Sequence, residues 1–466
     1  MSTTYDVVVI GSGPGGYVAA IRAGQLGLKT AIVEKDDRFG GTCLLRGCIP
    51  TKSMLESASL ADHARHAGDF GVTVGEVSID LPKVLKRKDR VIKVNAGGVA
   101  FLLKKNKVTT YRGFGALVGG GKLTVTSDDG VETLSARHII LATGSAVRHI
   151  PGFDVDGTHV LTSDELLELS TMPKHLLVLG AGAVGVEFAS VYRSFGADVT
   201  IVELQDRLVP LEDEDVSAEF AKAFKRRGIK VKTGTKCQSL EIDGGKVKAT
   251  LLEAGDKTST VHASHCLVAI GRRPVTENIG LEKTKIKAER GFVHVDEYGQ
   301  TGEAGVYAIG DIVAGTPQLA HAASHEGIVA VEHIAGLNPE PINYGHCPNC
   351  TYSNPEVGSI GMTEAQAKEA GYTLKVGTFP FTAVGKAKVI NDTTGFVKIV
   401  AEAKYNEILG VHIIGPHATE LIATAGPLLR LECTVEELAR TIHSHPTLSE
   451  AIGEAAHATL GHAIHM

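Results

Sequence analysis

Two segments of the chain share one hydrophobic pattern. Tyr5-Asp-Val-Val-Val-Ile10 is a short β-branched apolar run closed by glycine, which predicts a strand buried on both faces of a parallel sheet. Gly11-Ser-Gly13-Pro-Gly15-Gly16 follows at once, then a predicted helix from Tyr17 to about Leu26 and a strand from Lys29 to Val33 that ends at Glu34. The pattern recurs as a strand His175–Leu179, a turn Gly180-Ala-Gly182-Ala183-Val184-Gly185, a helix Val186–Phe195 and a strand Asp198–Val202 ending at Glu203. The spacing from Gly11 to Glu34 equals that from Gly180 to Glu203. Such glycines let a pyrophosphate approach backbone N–H groups at a helix N-terminus, and the acid takes ribose hydroxyls. A lone glycine triad is weak evidence, but one set strand-turn-helix-strand-acid is strong. The chain therefore reads as two Rossmann units binding two dinucleotides.

The rest of the pattern is less regular. A basic helix is predicted over Pro82–Asn106, with Lys83, Lys86, Arg87, Lys88 and Arg90 on what reads as a solvated face. Lys122 to Leu134 suggests a hairpin around Asp129-Gly130, and Arg137 to Leu141 a buried strand running into Ala142-Thr143-Gly144-Ser145. Cys266 to Ile270 and Val306 to Ile309 are further strands, ending at Gly271 and at Gly310-Asp311, and a helix follows from His321 to about Ala335. Beyond Tyr344 come strands near Tyr352, Phe379, Phe396–Ala401 and Ile408–Ile414, then helices. The expected class is α/β: two Rossmann-like dinucleotide-binding domains plus a C-terminal α+β domain. The expected boundaries are 1–150 and 273–343 for the first domain, 151–272 for the second and 344–466 for the third.

Composition narrows the function classes. A net charge of −6 over 466 residues suggests neither nucleic acid nor an anionic membrane as partner. Seven cysteines in this length are not a disulfide-stapled secreted framework. A first strand starting near Tyr5 leaves no room for a leader, so a cytoplasmic protein is expected.

The densest chemistry lies in Gly40-Gly41-Thr42-Cys43-Leu-Leu-Arg46-Gly47-Cys48-Ile-Pro50-Thr-Lys52. In a regular helix residues five apart have Cα atoms about 8–9 Å from each other, whereas a disulfide needs roughly 4.4–6.8 Å. If Cys43 and Cys48 bridge, the turn is not regular helix, and Gly47 supplies the freedom to depart from one. A buried thiol pair and half of a metal site are the plainer alternatives. With its context, the stretch resembles the redox-active disulfide of the flavin-dependent disulfide reductases that also bind a pyridine nucleotide. The resemblance extends to Gly310-Asp311, to Gln318-Leu319-Ala320-His321 and to His445-Pro446-Thr-Leu-Ser-Glu450, and so covers essentially the whole chain.

Membership of that family implies a homodimer built on the C-terminal domain, with FAD and NAD as cofactors and no metal. Cys43 is implied to exchange with substrate, Cys48 to face the flavin, His445 to act as base and Glu450 to orient it. Lys52 and Glu187 are implied to form a charge pair tuning the flavin. FAD contacts are implied for Gly11, Gly13, Gly15, Gly16, Glu34, Lys35, Gly41, Thr42, Lys52, Gly115, Ala142, Thr143, Gly144, Ser145, Gly310, Asp311, Gln318, Leu319, Ala320 and His321. NAD contacts are implied for Gly180, Gly182, Ala183, Val184, Gly185, Glu187, Glu203 and Gly271. Glu203 repels a 2′-phosphate and favours NAD over NADP, although Arg207 nearby weakens that case. This argues against the NADPH-dependent glutathione and trypanothione reductases. The implied reaction is oxidation of protein-bound dihydrolipoamide, with lipoyl domains and the acyltransferase core of a 2-oxo acid dehydrogenase complex, or a glycine cleavage system, as partners. A reductase of a small disulfide or other acceptor is the alternative, and a catalytically silent flavoprotein scaffold is a third. Arg46 either depresses a thiol pKa or faces water. Cys347-Pro-Asn-Cys350 is read as two unbridged thiols.

Overall fold

The computed structural model describes residues 4–466. The described chain divides into two compact bodies, one of residues 4–53, 85–148 and 272–344, the other of residues 54–84, 149–271 and 345–466.

The first body begins with β1 (Thr4–Ile10), α1 (Pro14–Gln25) and β2 (Thr30–Glu34). The helix starts at Pro14, earlier than expected, because a first-turn proline loses no hydrogen bond. Next come α2 (Gly41–Arg46) and α3 (Cys48–Arg65), which begins at the second cysteine. The basic helix α4 (Leu81–Lys105) forms, but its cations are not one solvated face. Lys83, Lys86 and Arg90 are exposed, whereas Lys88 is fully buried and Arg87 donates to Ser53 O and Oγ, both at 2.8 Å.

Strands β3 (Thr109–Arg112), β4 (Phe114–Gly119), β5 (Lys122–Ser127), β6 (Gly130–Leu141) and β7 (Ser145–Val147) complete this stretch. β1 pairs in parallel with β2 and with the later part of β6, while β4 and β5 form an antiparallel meander against the earlier part of β6. The expected hairpin thus forms as β5 and β6, and its second strand runs on without a break into the expected buried strand. Period-two alternation sorts the sheet's faces. Val8, Ile10 and Ile139 pack on one side; Val7, Val9 and Ile140 pack on the other against Ala19, Ala20 and Leu103 of α1 and α4.

The second Rossmann unit comprises β8 (Val160–Leu161), α5 (Ser163–Leu166), β9 (His175–Leu179), α6 (Ala183–Phe195), β10 (Asp198–Val202), α7 (Glu214–Arg226) and β11 (Lys230–Lys232). A meander of β12 (Lys236–Asp243), β13 (Lys246–Glu253) and β14 (Lys257–Ala263) then leads into β15 (His265–Val268). The parallel order β11-β10-β9-β15-β8 repeats β3-β2-β1-β6 of the first unit, and each unit carries an antiparallel meander. The second meander was not expected from the sequence, because its outer strands are largely exposed and carry no sustained apolar alternation.

The chain returns to the first body through β16 (Arg272–Pro274), which pairs with β7, and the small hairpin β17 (Ala288–Glu289) and β18 (Phe292–Val293). β19 (Val306–Ala308) then joins β6 in parallel, and α8 (Ala320–Ile334) packs on α1. A Cβ on Gly15 would lie 2.9 Å from Ala323 O. The remainder of the second body is an antiparallel sheet, β20-β21-β24-β23-β22 in spatial order. Its strands are β20 (Asn349–Thr351), β21 (Glu356–Gly361), β22 (Leu374–Pro380), β23 (Phe396–Glu402) and β24 (Ile408–Gly415), with α9 (Glu364–Glu369) between β21 and β22. Glycines disguised β21 in the sequence; the fold needs them, since a Cβ on Gly358 would lie 2.5 Å from Ala418 O. Phe379, Val397, Ile399 and Ile413 form the core with Ala451, Ile452 and Ala455 of the helix Glu450–Thr459.

Candidate redox and dinucleotide sites

Cys43 lies within α2 and Cys48 opens α3, with Gly47 breaking the helix between them. The two side chains form a hydrogen-bonded thiol pair rather than a disulfide. That bond and burial push the Cys43 thiol well above its usual range, and the Lys52 ammonium opposes them. A carbon placed on Gly47 would sit 3.0 Å from Thr42 O, so the tight break between the cysteines favours glycine.

α2 is fastened to the first glycine turn at its N-terminal end. Gly40 N–H donates to Ser12 O at 3.0 Å, a Cβ on Gly41 would lie 2.6 Å from Gly13 Cα, and Thr42 Oγ1 donates to Ser145 O at 3.4 Å. At the other end Arg46 forms an ion pair with Asp36. Rather than simply facing water, it ties α2 to the loop after Glu34.

The first turn has the cradle a pyrophosphate requires. Gly11 has φ +103°, and its Cβ would lie 2.3 Å from Ala142 O; one on Gly16 would lie 1.9 Å from Gly11 O. A Cβ on Gly13 meets nothing within 4 Å, so the space above the turn is open. Glu34 is buried, and its carboxylate accepts Ser12 N–H and Asp36 N–H, both at 2.8 Å, on separate oxygens. Lys35 pairs with Asp36 at 2.7 Å. Gly115 lies on β4, where a Cβ would strike Ile10 Cγ2 at 2.8 Å. Ser145 donates to Asp311, and Arg272 donates to Ser145 Oγ and O at 2.7 Å each. Thr143 Oγ1 donates to Val275 O at 2.6 Å, and Gln318 reaches Asp311 O at 3.2 Å. Glu326 accepts Gly310 N–H at 2.5 Å and Tyr344 OH at 2.8 Å, and burial pushes its carboxyl up. The open turn with its fixed acid fits FAD. Ser12, Arg272 and Glu326 were missed by the sequence reading, because no local motif marks residues whose partners lie far along the chain.

The second turn repeats this geometry. A Cβ on Gly180 would lie 2.3 Å from Ala269 O and one on Gly185 would lie 2.0 Å from Gly180 O, while Gly182 and Gly271 face open space. Glu203 accepts Ala181 N–H at 2.6 Å and Gln205 N–H at 2.8 Å, one on each oxygen. Arg207 is engaged by Glu214 at 2.9 Å and Pro210 O at 3.0 Å. Glu187 is buried on α6 and accepts Tyr352 N–H at 2.9 Å.

His445 is exposed, and its Nδ1 lies 2.9 Å from Glu450 Oε1. Glu450 opens the helix Glu450–Thr459, and its other oxygen accepts Thr447 N–H at 2.9 Å. Burial pushes the Glu450 carboxyl up, but that N–H and His445 outweigh it and hold it below the usual range. The acid thereby fixes one ring nitrogen and leaves Nε2 for chemistry. Cys350 lies on β20 opposite Gly358 and packs on the C-terminal core. Among the described residues, no cluster of three or more His, Cys, Asp or Glu is arranged to hold a metal ion, and no helix is long and apolar enough to cross a membrane.

Residues 5–327 match the family model of pyridine nucleotide-disulphide oxidoreductases, and residues 347–456, which include His445 and Glu450, match that family's dimerisation domain. The chain is 48% identical to a dihydrolipoyl dehydrogenase of Bacillus subtilis over 100% of both chains. It is 46% identical to one from Zymomonas mobilis, again over 100% of both. A leghemoglobin reductase of Glycine max is 43% identical over 97% of this chain and 87% of that protein. Among solved structures, LpdA of Mycobacterium tuberculosis superposes with a TM-score of 0.90 at 29% identity, covering 97% of this chain and 99% of that one.

Proposed function

The chain belongs to the pyridine nucleotide-disulphide oxidoreductase family, and on that premise we propose that it oxidises protein-bound dihydrolipoyl groups with NAD. The observation that carries the reading is the Cys43–Cys48 thiol pair, held in hydrogen-bond contact beside a dinucleotide-binding turn. That contact brings the two sulfurs close enough to cycle between dithiol and disulfide.

In that half-reaction one substrate thiolate attacks Cys43 Sγ of the oxidised pair, and the Cys43–Cys48 bond breaks. The second substrate sulfur then displaces Cys43, releasing the lipoyl disulfide and leaving both cysteines reduced. His445 takes the substrate thiol's proton on Nε2, while Glu450 holds Nδ1 and stabilises the imidazolium. Lys52 favours the thiolate, offsetting part of the upward push on Cys43. Bound FAD supplies a two-electron carrier between this dithiol and NAD. Gly11, Gly13 and Gly16 with Glu34, and Ser145 with Asp311 and Arg272, are the residues that would hold it. Lys52 and Glu187 are assigned the electrostatic tuning of that carrier. Gly180, Gly182, Gly185 and Glu203 take NAD, and Arg207 is too committed to recruit a 2′-phosphate.

His445 and Glu450 fall within the dimerisation domain, which supports a homodimer whose base comes from the second copy. Relatives named dihydrolipoyl dehydrogenase support service to a cytoplasmic 2-oxo acid dehydrogenase or glycine cleavage complex. The test is anaerobic spectral titration of the flavinated protein with dihydrolipoamide and then NAD, alongside turnover of glutathione disulfide with NADPH. Reduction by dihydrolipoamide and reoxidation by NAD support the proposal; turnover only in the second assay refutes it.

A further inference from the structure

We infer that Arg227 is a positioning residue for Glu187, acting through a clamp between α6 and the turn that follows β20. The inference rests on the role proposed above for Glu187. Glu187, Ser190 and Ser194 occupy successive turns of α6 and share one face. All three are polar and buried, at 3%, 2% and 4% exposure. A buried polar face needs partners from elsewhere. Here they come from the segment Tyr352–Asn354, from α3 and from Arg227.

Arg227 directly follows α7. Its Nη1 donates to Ser190 Oγ at 2.7 Å and to Asn354 O at 2.6 Å. Its Nη2 donates to Ser194 Oγ at 2.7 Å and lies 3.4 Å from Asp62 Oδ2, which Ser194 itself reaches at 2.5 Å. Asn354 N–H in turn donates to Ser190 Oγ at 3.0 Å. The guanidinium therefore holds both ends of one contact: the helix at Ser190 and the turn at Asn354. Two residues earlier on that turn, Tyr352 N–H donates to Glu187 Oε1. One rigid unit sets where the turn lies, and the turn sets which way the Glu187 carboxylate points. Without the guanidinium, Asn354 O and Ser190 Oγ lose their charged donor, the turn lifts, and Glu187 loses its backbone N–H.

The test is a double-mutant cycle on the FAD-loaded dimer, reading NAD-dependent reoxidation of the reduced flavin by stopped flow. Hydrogen–deuterium exchange of the Tyr352–Asn354 amides gives a second readout. Arg227→Gln is expected to raise exchange at those amides by about tenfold or more, since a charge-assisted bond is lost. It is also expected to slow reoxidation, and the double variant with Glu187→Gln is expected to be no slower than the slower single variant, within about twofold. Ser190→Ala serves if Arg227→Gln does not fold, with the same signs and smaller sizes. Multiplicative losses in the double variant, or unchanged exchange at residues 352–354, overturn the positioning role. An unimpaired Glu187→Gln enzyme would instead refute the assignment of Glu187 itself, and this inference with it.

Discussion

Replacing Glu203 tests the NAD assignment at one side chain. In the structure each carboxylate oxygen already accepts a backbone N–H, Ala181 at 2.6 Å and Gln205 at 2.8 Å. Each oxygen keeps lone-pair capacity for a ribose hydroxyl. Glu203→Ala removes a charged acceptor, worth about 1.5–3 kcal/mol per hydrogen bond made to it. One such bond to the ribose corresponds to a fall of roughly ten- to 150-fold in kcat/KM for NAD. NADP gains from the same change, because the negative charge beside its 2′-phosphate is gone. The variant also leaves two backbone donors without their acceptor, a cost of about 1–3 kcal/mol in stability for each that water does not satisfy. Glu203→Gln separates the two effects. A glutamine offers one acceptor oxygen and must turn its NH2 toward the other backbone N–H, so the turn is half supported and the charge is lost. The assay is steady-state turnover at saturating dihydrolipoamide with varied NAD or NADP, paired with thermal melts. A ratio of the two kcat/KM values unchanged in both variants would show that Glu203 does not read the ribose.

Cys48→Ser is expected to retain FAD but lose the long-wavelength thiolate-to-flavin absorbance in the two-electron-reduced enzyme; a band of full strength assigns the flavin-facing thiol wrongly. Subunit exchange between Cys43→Ser and His445→Gln dimers is expected to restore activity, with each mixed dimer reaching about half of wild type because one of its two equivalent sites is intact; verified exchange with no recovered turnover refutes the shared site. Lys398→Met is expected to destabilise the fold by about 3–5 kcal/mol, because buried Lys398 contacts Asp213 at 2.9 Å, Asp215 at 2.6 Å and Glu364 at 2.8 Å. Burial pushes the Asp213 carboxyl up, but Lys398 and the Glu364 N–H outweigh it and hold it low. Its contribution is therefore present above the ordinary aspartate pKa of about 4 and lost as pH falls through the lower folded value. Denaturant melts at neutral and acid pH should show the Lys398→Met deficit shrinking on the acid side; a deficit constant down to pH ~2 would refute this account.

The repeated strand-glycine-helix-strand-acid segments were legible because their signals are local. Apolar runs of period two, glycines forced by backbone crowding and an acid at a fixed distance all lie within one βαβ unit. Gly11 and Gly180 could be read without any fold, since each must take a positive φ where the chain leaves a central strand. The cysteine stretch and the His445–Glu450 segment were legible through their resemblance to a known family, and the 2.9 Å contact between His445 and Glu450 closes over a few residues of chain. Tertiary structure decided the rest. β6 serves a meander along its first half and a parallel sheet along its second, a division set by which neighbours lie beside it. Lys88 is buried and Arg87 turns to Ser53, while Lys83, Lys86 and Arg90 of the same helix face water. Arg46 answers Asp36, Arg272 answers Ser145, and Arg227 answers Ser190 and Asn354. No periodicity in the chain encodes such pairs. A buried charge must find a partner because leaving it unpaired costs several kcal/mol, but the partner's identity depends on which distant segments the packed sheets bring within hydrogen-bonding reach.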